Sequence, residues 1–297
     1  MKLLKTILII VGFAISTTAL AETLSVQFEE LTVLQFKEAV NKSDKTAIIP
    51  IGVFEKHGAH MPLGTDVYFA RELSIRAAKK EYAVVFPWYY FGQVACGKHQ
   101  PGTLAYSPEL ILRILQETVD ELGRNGFKKI ILLSGHGGNK GFLDFFIMSQ
   151  LAKKKDYAVY WYKYKYDKEA VEKARALTMV DKINYHGGNR ETSILKCIVP
   201  NLVDPSIAHT DSGADLNRLG HLDKRIYTGI FWYAQFPNHY AGDGSKGTAE
   251  AGEILLESAA TNFAKAIKDI KKDKTTLKLL NQFYEESENP MNTKQPY

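Results

Sequence analysis

The chain reads as an α/β protein with a mainly parallel sheet covered on both faces by helices. Three observations predict this. Apolar runs of strand length stand at 48–53, 82–86, 129–133 and 157–162. Segments of helical spacing separate them, the order expected of strand–helix–strand units. No internal repeat or low-complexity linker breaks the alternation. The 297 residues, 45% hydrophobic and 24% charged, therefore suit one large domain with one core.

Residues 29–44 predict a short helix closed by the polar turn Asn41-Lys42-Ser43-Asp44. Ile48, Ile49, Ile51 and Val53 form the first strand. Residues 70–80 read as a helix, and Tyr82 to Phe86 as a second strand stopped by Pro87. Gly92, Gly97 and Pro101-Gly102-Thr103 then mark an irregular loop. Ser107-Pro108-Glu109 starts a helix, with serine at the N-cap and proline in the first turn, and Ile111, Leu115, Val119 and Leu122 give it an apolar stripe ending near Gly126. The strand Lys129–Leu133 leads into Ser134-Gly135-His136-Gly137-Gly138-Asn139 and a helix over 141–153. The strand Tyr157–Tyr162 is followed by a helix around 168–177, and the apolar run Ile194–Val199 comes next. Turn formers dominate 203–245, which predicts loops over the sheet with Trp232 and Tyr233 as pocket walls. Ala251, Leu255, Ala259, Phe263 and Ile267 set a helix over 248–271, and the polar stretch 286–297 reads as a flexible tail.

The first 21 residues stand apart from the domain at 22–285. Lys2 and Lys5 precede the apolar run Ile7–Ile15, and Ala19-Leu20-Ala21 matches a small-x-small cleavage site, the pattern of a secretory signal cut after Ala21. The expectation is a secreted or periplasmic protein. That segment holds two lysines and no acids, so its removal takes the formal net charge from +5 to +3. No later run reaches spanning length, so no membrane association is expected after cleavage. The lysines of 266–279 read as a solvated helix face, which gives no nucleic-acid surface. Cys96 and Cys197 leave a disulfide or two separate thiols open.

Chemistry concentrates in three clusters at strand or loop ends. Glu55, His57 and Asp66 follow the first strand. His136 sits among glycines after the third. His186 and Glu191 lie within His186-Gly187-Gly188-Asn189-Arg190-Glu191-Thr192-Ser193. Mixed histidine and carboxylate donors suit zinc or manganese, and a carboxylate shared by two ions lets one small cavity hold both. Paired ions roughly 3.5–4 Å apart polarise a carbonyl and activate water for hydrolysis. His60 and His99 stand as supporting or loop residues, and His209, His221 and His239 as surface or packing residues.

Residues 48–66, 128–139 and 186–193 resemble the three signature regions of the creatininase (creatinine amidohydrolase) family, approximately E-x-H-G-x-H-x-P-x-x-T-D, N-G-H-G-G-N and H-x-G-x-x-E-T-S. Pro101-Gly102-Thr103, Gly242-Asp243 and 245–252 are similar to further family segments, so the likeness spans most of the chain. The resemblance implies an α/β/α sandwich with two divalent metal ions, zinc or manganese. Glu55 and His136 would bind one ion, His57 and Glu191 the other, and Asp66 would bridge them. His186 would shuttle a proton to the departing nitrogen of a small cyclic or linear amide substrate. A homo-oligomer, a hexamer in the better-known members, is implied as well.

Ser134 replaces the usual asparagine, and Asn189 stands where many members carry a further glutamate; neither is among the five ligands. Lys182 stands where creatinine-hydrolysing members place a tryptophan, and Gly137-Gly138 where they carry Tyr-Glu, which speaks against creatinine itself. Two alternatives stay open. One is a peptidase-like member that trims a short peptide, and the other an exported metal-binding protein without turnover.

Overall fold

The structure, a computed structural model, describes residues 24–178 and 184–293. The signal segment, its cleavage site and Lys182 fall outside the described residues.

In chain order the elements are α1 (Val33–Lys42), β1 (Thr46–Ile51), α2 (Thr65–Lys80), β2 (Val84–Val85), α3 (Pro108–Arg124), β3 (Lys129–Ser134), α4 (Lys140–Ser149), β4 (Ala158–Tyr162), α5 (Lys168–Thr178), α6 (Asn189–Ile198), α7 (Phe231–Gln235), α8 (Ala249–Lys272) and α9 (Thr275–Glu288). The four strands form one parallel sheet in the order β2-β1-β3-β4, with Ile48 opposite both Val85 and Ile131. Alternation along β3 explains the layering. Ile131 and Leu133 point into a core shared with Phe69 and Leu73 of α2, Leu195 of α6 and Leu256 and Phe263 of α8. Ile130 and Leu132 point the other way, against Leu115 and Val119 of α3 and Leu143 and Phe146 of α4. These side chains are buried on both faces, each worth about 1.5–3 kcal/mol, and they bear out the three-layer α/β/α sandwich.

The sheet order places the site. β1 and β3 stay paired to their last residues, Ile51 and Ser134, but the chain leaves β1 for α2 on one face of the sheet and β3 for α4 on the other, so the two connections part at the carboxyl ends. That divergence is the crevice where open α/β sheets bind ligands.

Several boundaries differ from the sequence reading, each for a local reason. Helix α2 begins at Thr65, five residues earlier than the periodicity suggests. Thr65 Oγ1 donates to the Pro62 carbonyl at 2.7 Å, and Asp66 in the first turn faces the positive end of the helix. The run after His186 is the amphipathic helix α6, not an open-ended apolar stretch. The region 203–245 holds a 3-10 turn at Pro205–Thr210 and the single-turn α7 among its loops. Helix α9 runs to Glu288, past the expected domain end at 285, and Tyr284 is buried with its hydroxyl on the Gln150 carbonyl. Cys96 and Cys197 are unpaired thiols. Among the described residues no helix is long and apolar enough to cross a membrane.

Glycine sets how closely α2 approaches the strand ends. A Cβ on Gly135 would stand 2.4 Å from the Asp66 backbone carbonyl oxygen, which cannot yield as a flexible side chain would. Gly135→Ala is expected to lower stability by about 1–3 kcal/mol, read from the denaturant midpoint.

Candidate metal centre

The loop after β1 carries Glu55 and His57 and closes on itself where the Glu55 amide donates to the Leu63 carbonyl at 3.0 Å. Gly58 turns it at φ +69°, a conformation that favours glycine. Asp66 comes from the first turn of α2, His136 from the loop after β3, and Glu191 from the first turn of α6. His186 arrives on a segment pinned antiparallel to Ala241 by paired backbone hydrogen bonds of 3.2 and 2.9 Å.

These side chains meet. His136 Nδ1 lies 2.8 Å from Glu55 Oε1 and 3.1 Å from Asp66 Oδ2. His57 Nε2 lies 3.2 Å from Asp66 Oδ1 and 3.9 Å from Glu191 Oε2. The two oxygens of Asp66 thus face two different histidines. Glu55, His57, Asp66 and His136 are buried, while Glu191 and His186 keep a little exposure. Glu55 Oε1, His57 Nε2 and Asp66 Oδ2 are close to their neighbours yet have no aligned hydrogen bond. Buried polar atoms in that state are costly unless something between them accepts their lone pairs.

The opposite ring nitrogens support the same reading. His57 Nδ1–H donates to the Glu55 carbonyl at 3.2 Å, His136 Nε2–H to the Gln93 carbonyl at 2.9 Å and His186 Nε2–H to the Lys56 carbonyl at 2.8 Å. A carbonyl can only accept. Each bond therefore fixes a tautomer whose free lone pair turns into the cluster, the arrangement that orients histidine toward a metal. Donors spaced 2.8–3.9 Å apart match neighbouring ligands around one ion, about 3.4 Å apart for bonds near 2.1 Å. The residues fit a cation on each side of Asp66.

Electrostatics of the ion-free chain carry the same signature. Burial works against charge on His57 and His136, yet Asp66 and Glu55 outweigh it. His57 is raised to about 9 and His136 well above its ordinary value. Glu55 is held well below the usual carboxylate range, because His136 and His186 together overcome its burial. Burial, and then His57 stacked 4.0 Å away, bring His186 down to about 4. Charge on His57 and His136 balances these carboxylates in the ion-free chain.

Sequence reasoning missed His239. Expected at the surface or in packing, it is buried, with Nε2 2.6 Å from Glu55 Oε2. The Trp232 indole N–H can only donate, and it reaches His239 Nδ1 at 3.1 Å, so Nε2 carries the hydrogen given to Glu55. His239 holds one Glu55 oxygen and leaves the other to face His136. No motif spacing points to it; the sole hint is the turn-rich setting Phe236-Pro237-Asn238 behind an aromatic run.

His60 is buried against Thr192 Oγ1 at 2.8 Å and supports the α6 start. His99 binds the Pro237 carbonyl at 2.8 Å and shares an open cavity of about 500 Å3 with Cys96 and Tyr233, while Trp232 packs on His186.

The departures from the family pattern have local explanations. Ser134 Oγ accepts from the His136 amide and from Asn139 Nδ2, so it clamps the His136 loop. Asn189 Oδ1 accepts from the Lys246 amide at 2.9 Å, tying the 240s loop to α6. A Cβ on Gly138 would stand 2.3 Å from His136 Nε2, so a glutamate there would require the His136 ring to shift from its bond with the Gln93 carbonyl.

The curated proteins similar to this chain include the creatinine amidohydrolase of Pseudomonas putida, 26% identical over 264 residues that cover 82% of this chain and 97% of that one. The 3-dehydro-scyllo-inosose hydrolase of Thermotoga maritima is 24% identical over 271 residues, 82% and 83% of the two chains. A crystal structure of creatinine amidohydrolase superposes with a TM-score of 0.70 at 24% identity, over 84% of this chain and 99% of that one. Solved forms of creatininase at TM-scores of 0.69 and 0.68 are described as zinc–zinc and manganese forms. The family pattern of creatinine amidohydrolases matches residues 29–267, and the chain belongs to the creatininase family.

Proposed function

We propose that the chain is a metal-dependent amidohydrolase that uses water to cleave the C–N bond of a small linear or cyclic amide. Glu55, His136 and Asp66 Oδ2 would hold one divalent ion, zinc or manganese. His57, Glu191 and Asp66 Oδ1 would hold the other. Such a pair, when bound, polarises the amide carbonyl and makes water acidic enough to attack near neutral pH. The observation that carries the reading is Asp66, whose two oxygens face His57 at 3.2 Å and His136 at 3.1 Å from one buried position.

His186 supplies the proton path. Its Nε2–H is committed to the Lys56 carbonyl, so Nδ1, 4.0 Å from Glu55 Oε1, is the nitrogen open to the site. Burial favours the neutral ring, and the hydrogen on Nε2 leaves the Nδ1 lone pair free to accept a proton. Nδ1 takes the proton of the attacking water as the C–O bond forms. It returns that proton to the departing nitrogen as the C–N bond breaks, giving an acid and an amine.

The test is a panel of lactams, formamides, linear amides and short peptides, assayed with manganese- or zinc-loaded protein before and after chelation. Turnover that chelation abolishes supports the reading; no turnover of any member overturns it. His186→Gln keeps a donor for the Lys56 carbonyl but moves no proton. It is expected to lose about 10²–10⁴ in kcat with metal content unchanged. Products released only from peptides would mark the trimming alternative. Export and oligomer assembly belong to the same reading. A mature N-terminus at Glu22 and a hexameric mass in light scattering would support them.

A further inference from the structure

Two cavities flank the candidate metal centre. One, of about 270 Å3, opens among α5, α6 and α8, with Val171 and Leu255 as apolar wall and Tyr166, Arg175, Asn184 and Arg190 as polar lining. The other, of about 220 Å3, lies outside the ends of β3 and β4 beside His136, Lys140 and Lys163. Between them is a narrow space of about 10 Å3 lined by Asp66 and Glu191. It shares Tyr166 and Arg190 with the first cavity and Gly135 and Tyr164 with the second. Among the described residues, the two larger cavities are lined by four basic side chains and no aspartate or glutamate.

The four cations are not equivalent. Lys140 and Lys163 share Asp144 at 3.3 and 3.7 Å. Arg190 is half-buried, and among the described residues its guanidinium has no carboxylate within 4.0 Å and no side-chain hydrogen bond. Its burial is outweighed by Glu191, with Tyr166 and Tyr164, which keeps the guanidinium charged, yet none of its five N–H donors has an acceptor among the described residues. It sits one residue from Glu191, at the boundary between the metal centre and the larger cavity. Its planar fork matches a carboxylate.

We propose that Arg190 is a specificity-determining residue that holds a carboxylate of the substrate in the cavity between α5, α6 and α8 while the scissile amide lies beside Asp66 and Glu191. The substrate class is an anionic amide, with its acid group separated from the C–N bond by a short apolar linker that Val171 and Leu255 can cover. This inference rests on the hydrolase reading for the position of the amide.

The experiment compares glutaramate with glutaramide, linear amides of equal length that differ as carboxylate and carboxamide. Manganese-loaded wild type, Arg190→Gln and Arg190→Lys are each titrated by calorimetry, which needs no turnover, and each is assayed for ammonia release. Wild type is expected to bind glutaramate about 10–100-fold more tightly than glutaramide, the range for a charge-assisted pair. Arg190→Gln should bring that ratio near one and Arg190→Lys should keep part of it, with both variants unfolding at the wild-type temperature. A wild type without preference, or a preference that Arg190→Gln retains through a carboxylate bound elsewhere, overturns the inference. Hydrolysis of glutaramide without any charge preference sinks this inference and leaves the hydrolase reading standing. An Arg190-dependent binding preference supports the carboxylate site even with neither amide hydrolysed, and the hydrolase reading is then decided by the wider amide panel.

Discussion

Replacing Asp66 with asparagine is expected to empty the site and to lower amide hydrolysis by about 10³-fold or more. The size follows from the role. A bound cation contributes several kcal/mol to a transition state that develops charge on the carbonyl oxygen, and each 1.36 kcal/mol is a factor of ten. The Asp66→Asn side chain would keep the shape, but its amide nitrogen cannot serve as a ligand, and one of the two histidines would lose its shared partner at 3.1 or 3.2 Å. Elemental analysis after dialysis should fall from two metals per chain toward zero. A ligand to one ion alone, such as Glu191, should leave one metal behind when it is replaced by glutamine. An Asp66→Asn variant that retains two metals and full turnover would end the bridging role. Two metals in the wild type with no turnover of any amide would instead favour a metal-binding protein without catalysis.

The sequence exposes this site unevenly, for physical reasons. Glu55, His57 and His136 are legible because each follows a buried strand, and strand ends in an open α/β sheet converge on one crevice. Asp66 and Glu191 are legible as motif residues, but the elements that carry them are not. Both sit in the first turn of a helix, where a carboxylate and a turn look alike in a one-dimensional pattern. The sheet order, which makes β1 and β3 neighbours, depends on crossovers and not on local propensity. His239 is illegible altogether. Its place beside Glu55 depends on the Ala241 bridge to His186 and on a Trp232 contact, both made by irregular backbone with no period to read. The cavity that Arg190 enters is equally invisible, since three separate helices wall it.

Two opposite pH dependences are expected of the chain with and without metal. In the metal-free protein His57 is raised from 6.5 to about 9, because Asp66, Glu55 and Glu191 together outweigh its burial. A group whose folded value lies above its unfolded one contributes stability that is fully present below pH 6.5 and lost as pH rises through about 9. For His57 that contribution is worth roughly 3 kcal/mol, and His136, shifted in the same direction, adds to it. Glu55 has the opposite sign. Held well below 4.5, it contributes above that value and loses its contribution as pH falls further. His186, brought down from 6.5 to about 4, loses its contribution as pH falls below 6.5, so chelated protein should be most stable near pH 6.5 and lose roughly 5 °C of Tm by pH 9. Loading with manganese should reverse the alkaline arm. The cation replaces the protons on His57 and His136, so the metal-induced rise in Tm grows from pH 6.5 to 9 and vanishes in acid, where protons compete for the same nitrogens. Thermal unfolding at five pH values, with chelator or manganese, reads both arms. A chelated chain whose Tm climbs between pH 6.5 and 9 would show that His57 carries no compensating proton. Asp66→Asn, which removes one of the charges that raise His57, should flatten the alkaline arm in the chelated protein and erase the difference that manganese makes.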